Sequence, residues 1–110
     1  MEVWEVWIAK FPYEENRNII KGRPVIIVNI DPLKILSIKV TTHTPRDDDK
    51  YDIPIIEWKE AGLREASTAR IGKSMLLSPD KFIYKIGKLQ DNDKTAIYIK
   101  YIEFTSDIKE

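Results

Sequence analysis

The sequence predicts a mainly β protein, a small barrel-like sheet of mostly antiparallel strands. Short β-branched and apolar runs such as Val25–Val28 and Ile35–Val40 recur along the chain, bounded by proline, glycine or clusters of small polar residues. No repeat, low-complexity tract or linker separates these runs. With 110 residues, 43% of them hydrophobic, the chain can bury one core without disulfides or metal, so we expect a single domain over residues 1–110.

The first half of the chain predicts three strands. Val3–Ala9 alternates between two faces, and a loop of mixed charge is expected over residues 12–22. Pro24 then disfavours the helical conformation for Arg23, so the apolar run that follows can enter the sheet as a buried strand. The third strand, Ile35–Val40, ends in the polar sequence Thr-Thr-His-Thr-Pro of residues 41–45.

The second half predicts shorter elements. Residues 57–61 suit one helical turn, with Gly62 as its C-terminal stop. Residues 78–80, Ser-Pro-Asp, indicate a turn. Further strands are expected at Tyr51–Ile55, Glu65–Ile71, Lys73–Leu77 and Phe82–Lys85.

The segment Thr95–Phe104 leaves two interpretations open. Its isoleucines and tyrosines favour a strand by propensity. Asp91 or Asn92 as an N-cap, with Asp93 in the first turn, favours a helix instead. Such a helix would place three apolar side chains at the spacing needed to pack on the sheet, those of Ile97, Tyr101 and Phe104.

A candidate phosphate site lies where two of the predicted strands begin and end. Arg23 is held at the start of one strand, and the hydroxyls of Thr41 and Thr42 follow the other. A guanidinium is a planar fork of donors that keeps its charge, so together with hydroxyls it suits a phosphate or a phosphorane. Arg23 could also be a surface residue paired with Glu14 or Glu15, and both threonines could simply be strand residues.

His43 and the tryptophans each have two readings. The ordinary pKa of histidine, about 6.5, suits acid–base catalysis, but His43 could equally be a surface or hydrogen-bonded residue. Trp4 and Trp7 favour the core of a small barrel over base stacking. Trp58 fits either the core, base stacking or contact with a partner.

Composition excludes several classes of chemistry. The chain has no cysteine and one histidine, which argues against disulfides, a thiolate nucleophile and a zinc centre. We therefore expect metal-free chemistry and no cofactor. Neither a signal peptide nor a run of about 18 apolar residues is visible, so we expect a cytoplasmic protein without a membrane span.

Net charge does not point to nucleic acid by itself. Eighteen basic and eighteen acidic residues cancel, so the overall positive field of many nucleic-acid binders is missing. From Arg64 to Lys88, six basic residues against two acidic ones give a local net of +4, and from Arg46 to Glu60, three against six give −3. A polarised surface with a positive cleft and ordinary solvated faces both remain open.

Five landmarks in order resemble the MazF/PemK toxins of bacterial toxin–antitoxin pairs. They are the early Trp-containing strand of residues 3–7, Arg-Pro before aliphatics at 23–24, the strand ending in Thr-Thr at 41–42, and two later segments, 61–71 and 85–93. The segment 61–71 resembles the one that lines the family's cleft, and 85–93 resembles the entry to its last helix. Because the landmarks keep this order over nearly the whole chain, although the connection between the first two is short, the resemblance implies a small SH3-like barrel of the PemK type with a C-terminal helix.

The resemblance also implies an activity. It suggests a sequence-specific, metal-independent endoribonuclease of single-stranded RNA, in which the ribose 2′-hydroxyl attacks the adjacent phosphate. Arg23 matches the residue that would stabilise the phosphorane and Thr41 the active-site threonine, with Thr42 and His43 as further catalytic or phosphate-binding candidates. The matching RNA-binding positions are Ser67, Thr68 and Arg70, although relatives often carry an acidic residue and glutamine at the first two.

Partners are likewise implied by the resemblance. It suggests a homodimer whose groove binds RNA and a cognate antitoxin that blocks the groove, with a protein antitoxin favoured over an RNA one. The altered residues at 67 and 68 also permit a barrel that has lost catalysis and acts as an RNA- or protein-binding module.

Overall fold

The computed structural model describes residues 1–12 and 20–108. Its strands and its helix are β1 (Glu5–Pro12), β2 (Ile20–Ile30), β3 (Ile35–Thr41), β4 (Asp52–Ile55), β5 (Ser67–Leu77), β6 (Phe82–Lys88) and α1 (Asp91–Ile108). The mainly β expectation is confirmed, and a 3₁₀ turn at Pro79–Lys81 occupies the predicted turn. Of the loop predicted for 12–22, residues 13–19 lie outside the described residues, and 20–22 belong to β2.

One six-stranded antiparallel sheet runs in the order β4-β5-β3-β2-β1-β6. The two strands predicted within residues 65–77 form a single strand, β5, with an irregularity in the middle. Ser37 of β3 pairs with Met75, whereas Lys39 pairs with Arg70, so residues 71–74 all lie opposite Ile38. Extra residues on one strand bend it. This explains why the sequence pattern of β5 is interrupted at residues 71–74 and predicted two separate strands.

The segment after β4 contacts the edge strand β6 through the backbone of Gly62, which lies against Ile86 and Gly87. Residues 58–63 form a helix-end motif in which the N–H of Leu63 donates to the carbonyl of Trp58 and that of Gly62 to Lys59. Gly62 has a φ of 95°, which confirms it as the predicted stop. A Cβ on Gly62 would lie 2.1 Å from the carbonyl oxygen of Ile86 in β6, so only glycine permits this approach.

The core has two parts, one on each face of the bent sheet. The larger cluster includes Val6, Ile26, Ile38, Val40, Ile71 and Ile97, with Trp4 and Trp58 packed against it. The smaller includes Ala9, Val25, Ile27, Ile35 and Leu77, with Trp7 and Phe82 packed against it. The expectation that Trp4 and Trp7 serve the core is therefore confirmed.

A buried carboxylate fixes β1 to β6. Glu5 accepts hydrogen bonds from the indole of Trp7 at 2.8 Å and from the N–H of Glu2 at 2.9 Å, and it pairs with the Lys85 ammonium at 2.9 Å. Burial raises the pKa of Glu5, but the bonds from Trp7, Glu2 and Lys85 outweigh burial and lower it to about 2. Glu5 therefore stays ionised throughout the neutral range.

The last segment is the helix α1, as the resemblance implied. Ile97 is fully buried, and Tyr101 and Phe104 pack against the same cluster. The helix begins at Asp91, and the carbonyl of Gln90 accepts the first described helical bond, from Lys94. The cap position is therefore Gln90, and the prediction of Asp91 or Asn92 as the N-cap is wrong by one or two residues. Within the described ranges, no helix combines the length and apolar character that crossing a membrane requires.

Asp93 connects the helix to the turn after β4. Its carboxylate is buried and accepts hydrogen bonds from the N–H of Ile56 at 2.9 Å and from that of Glu57 at 2.8 Å. The sequence assigned Asp93 only to the helix dipole. In the structure, it also satisfies two backbone donors of another segment.

Candidate functional site

Register brings the predicted catalytic residues together in one row across the sheet. The pairing of β2 with β3 ends at Val25 and Lys39. Extended by two residues in the same antiparallel register, it would set Arg23 of β2 opposite Thr41 of β3. Thr41 in turn pairs with Thr68 of β5. Directly opposed residues project from the same face of a sheet, so a guanidinium and two hydroxyl-bearing side chains share one face.

The next row on this face is charged. Lys39 pairs with Arg70, and Arg70 pairs with Asp52 of β4. The Nε of Arg70 lies 3.3 Å from Oδ1 of Asp52, and the Arg70 side chain is 15% exposed. One donor of Arg70 is therefore committed to a carboxylate. Its assignment to RNA binding stays a prediction.

Asp52 also holds the segment that follows β3. Its Oδ2 accepts hydrogen bonds from the backbone N–H of Arg46 at 3.1 Å and from the Arg46 Nε at 3.3 Å. Arg46 forms a second ion pair with Asp49 at 3.0 Å. The hydrogen bonds that Arg46 donates to Asp49 and then to Asp52 raise its pKa despite partial desolvation. The acidic stretch that the sequence showed at 46–60 is thus partly internal to this network.

Two adjoining clefts open at the same end of the sheet. The large cleft has a volume of about 560 Å³ and the small cleft about 290 Å³, and Thr42 and Ser67 line both. The large cleft is also lined by Ile8, Pro24, Gly62, Leu63, Arg64, Glu65, Tyr84 and Ile86. The remaining lining of the small cleft is His43, Thr44, Pro45, Pro54, Ile55, Ile56, Trp58, Ala66 and Thr68.

The sequence-predicted residues are distributed between the row and the clefts. Thr42 and Ser67 form the shared wall, and His43 and Thr68 line the small cleft. β3 ends at Thr41, and the N–H of His43 donates to the Thr41 Oγ1 at 3.3 Å, so a turn rather than the strand positions the imidazole.

Three cleft or sheet residues were missed as site candidates by sequence reasoning. Tyr84 is half exposed at the large cleft, and Asp52 and Lys39 lie next to the row of predicted catalytic residues. A signal for Lys39 was present, since a lone lysine two residues before Thr41 must share its face of the strand. No sequence signal places Tyr84 or Asp52.

The arrangement suits recognition of a phosphodiester. The row offers a permanent cation and hydroxyls, and the clefts on either side of the Thr42–Ser67 wall offer apolar and aromatic surface together with the charges of Arg64 and Glu65. In the described part of the chain, no group of three or more His, Asp or Glu side chains could hold a metal ion.

Comparison with known proteins decides the family. The family model described as "PemK-like, MazF-like toxin of type II toxin-antitoxin system" matches residues 2–103. The chain belongs to this family. No curated protein matches the sequence. Members of the MazF-like family are generally endoribonucleases, and their type II systems pair a toxin with a protein antitoxin.

A solved structure supports the same fold for this PemK-like chain. It is similar to the Mycobacterium tuberculosis toxin MazF-mt6, with a TM-score of 0.67 and 17% sequence identity. The match covers 88% of this chain and 91% of the mycobacterial one. At this identity, the likeness concerns the barrel with its C-terminal helix and leaves the site residues to be argued from this chain.

Proposed function

We propose that this PemK-like protein is a metal-independent endoribonuclease toxin that cleaves single-stranded RNA at specific sequences. The observation that carries the proposal is the register of β2 and β3 in a chain of a toxin family. Extended by two residues past the Val25–Lys39 pair, this register sets Arg23 opposite Thr41, the residue before the cleft-lining Thr42. The proposed partner is a protein antitoxin, and the proposed working form is a cytoplasmic homodimer.

In the proposed reaction, the ribose 2′-hydroxyl attacks the adjacent phosphorus and the 5′-oxygen leaves. The phosphorane carries extra negative charge, and the guanidinium of Arg23 stabilises that charge from a fixed position. A guanidinium is too weak an acid to lose its proton at neutral pH, so Arg23 acts by charge and hydrogen bonding. Thr41 supplies a hydroxyl that binds the phosphate and orients the attack.

The neighbouring residues complete this proposed site. The Thr42 hydroxyl donates a hydrogen bond to the RNA phosphate from the wall between the clefts. His43 follows Thr41 by two residues in the turn after β3, where its imidazole can transfer protons. Ser67 in the wall and Thr68 in the small cleft contact RNA only through the small parts of their surfaces that are exposed, 7% and 2%. Nucleotides on either side of the scissile phosphate would then occupy the large and the small cleft.

The test is incubation of the purified protein with a long RNA of mixed sequence in excess EDTA, followed by mapping of the new ends. We expect discrete cuts that bear 5′-hydroxyls. Arg23→Ala and Thr41→Val are expected to lower the cleavage rate by about 10²- to 10³-fold, as for loss of a group that stabilises the transition state. Thr41→Ser keeps the hydroxyl and should retain most of the rate.

Thr95→Val is the matched control, since Thr95 is exposed on α1, away from the clefts. Its rate should equal that of the unmutated protein. If folded, dimeric, unmutated protein leaves the RNA intact but binds it, the barrel is a binding module and the enzyme proposal is wrong. Cuts that persist unchanged in Arg23→Ala would refute the assigned site.

A further inference from the structure

Lys39 and Arg70 form an unusual pair of like charges directly opposite each other on β3 and β5. Like charges in this position repel and destabilise a sheet. Asp52 offsets only part of the charge, because its Oδ1 is taken by Arg70 and its Oδ2 by Arg46. Within residues 1–12 and 20–108, the structure gives the Lys39 ammonium no ion pair. The face therefore carries surplus positive charge at this position.

Arg70 also has an unused donor. Its Nη2 is buried and has no hydrogen-bond acceptor among the described residues. A buried donor without an acceptor is costly and uncommon in native proteins. Surplus cationic charge and an unsatisfied guanidinium N–H both fit an anion with several acceptor oxygens, which is the chemistry of a phosphate group.

The distance from the proposed catalytic row identifies which phosphate this would be. Lys39 lies two residues before Thr41 on the same face of β3, a separation of about 6.8 Å along a strand. This is comparable to the spacing of successive phosphates in an RNA strand. An RNA whose scissile phosphate lies at Arg23 and Thr41 would therefore bring an adjacent phosphate to Lys39.

We propose that Lys39, together with Arg70, is a binding site for the RNA backbone phosphate next to the scissile one. The inference rests on the proposed function, because it uses the position of the scissile phosphate at Arg23 and Thr41. The contact is to the backbone and carries no base information. It fixes the register of the strand in the groove and strengthens binding equally for all sequences.

The test measures binding by fluorescence anisotropy with a 2′-O-methyl RNA oligonucleotide of mixed sequence, titrated at several salt concentrations. This RNA lacks the attacking hydroxyl, so binding is separated from cleavage. Lys39→Met keeps the length and apolar stem of the half-buried side chain. We expect it to weaken binding about fivefold at 0.1 M salt and to reduce the slope of log K against log salt by about 0.7, the value for one phosphate contact with a single strand.

Two further variants complete the test. Lys39→Arg keeps the charge and should restore both affinity and slope. Lys34→Met removes an exposed lysine from the turn between β2 and β3, and it should leave both within twofold of the unmutated values.

Each outcome decides the proposal. An unchanged slope in Lys39→Met, with or without a loss of affinity, would refute a phosphate contact, as would absence of RNA binding by the unmutated protein. A reduced slope of log K against log salt in Lys39→Met, but not in Lys39→Arg or Lys34→Met, supports the site. If that loss is seen while the unmutated protein fails to cleave natural RNA, the phosphate site stands and the endoribonuclease proposal fails separately.

Discussion

Replacing Asp93 with alanine is expected to destabilise the barrel far more than removal of a neighbouring charge. The Asp93 carboxylate accepts two backbone hydrogen bonds, at 2.9 Å from Ile56 and 2.8 Å from Glu57. A hydrogen bond to a charged group contributes about 1.5 to 3 kcal/mol. Because the Ile56 side chain is exposed, water can reach its end of the turn, and we expect a total loss of about 2 to 4 kcal/mol.

The assay is equilibrium unfolding in urea, followed by tryptophan fluorescence and by far-ultraviolet circular dichroism. For a slope of about 1 to 1.5 kcal/mol per molar urea, the midpoint for Asp93→Ala should fall by about 2 M. The slope itself should not change, because Asp93→Ala and the unmutated protein both unfold in two states and bury the same surface. Coincident curves from the two probes would establish that condition.

Asp91→Ala is the matched control, since it removes the same charge from the same helical turn. Asp91 is exposed, so only its interaction with the helix dipole is lost, and the cost should stay below about 1 kcal/mol. If Asp93→Ala lies within about 0.5 kcal/mol of Asp91→Ala, the two backbone bonds contribute nothing beyond the dipole. The reasoning that Asp93 anchors the turn after β4 would then be wrong.

Two further predictions concern β1 and β6. The pKa of Glu5, lowered to about 2 from 4.5, means that its contribution to stability is complete above about pH 4.5 and disappears as the pH falls towards 2. Glu5→Gln should therefore cost about 1 to 2 kcal/mol at pH 7 and flatten the pH dependence of unfolding in that window; an unchanged profile would contradict this. Gly87→Ala places a Cβ 2.0 Å from the Ala61 carbonyl oxygen and should lower stability by about 3 kcal/mol or more. Gly72→Ala meets only a carboxylate oxygen of Asp49 at 3.8 Å, so a similar loss there would show that the clash is not the cause.

Local sequence determined most of the strands. Pro24 and the aliphatic run after it predict β2, and the β-branched run before Thr41 predicts β3, because these signals act on neighbouring residues only. The stop at Gly62 was predictable for the same reason, since a left-handed φ favours glycine wherever it occurs.

Two elements were not decided by local signals. Residues 71–74 interrupt the pattern of β5, and the sequence showed two strands where a bulged strand pairs with β3 at both ends. Thr95–Phe104 has strand propensity but forms a helix, because Ile97 and its neighbours at helical spacing pack on the open face of the sheet. Tertiary packing outweighs propensity in such segments.

For the site, the sequence determined which residue types were present and the tertiary structure decided which of them meet. Arg23 and Thr41 could be nominated because the sequence placed each beside a predictable strand. In the structure both belong to the strands, since β2 already begins at Ile20 and β3 includes Thr41. Their opposition depends on the register between β2 and β3, and the pairing of Lys39 with Arg70 depends on the bulge in β5. Register is set by contacts between residues far apart in the chain, so no local pattern contains it.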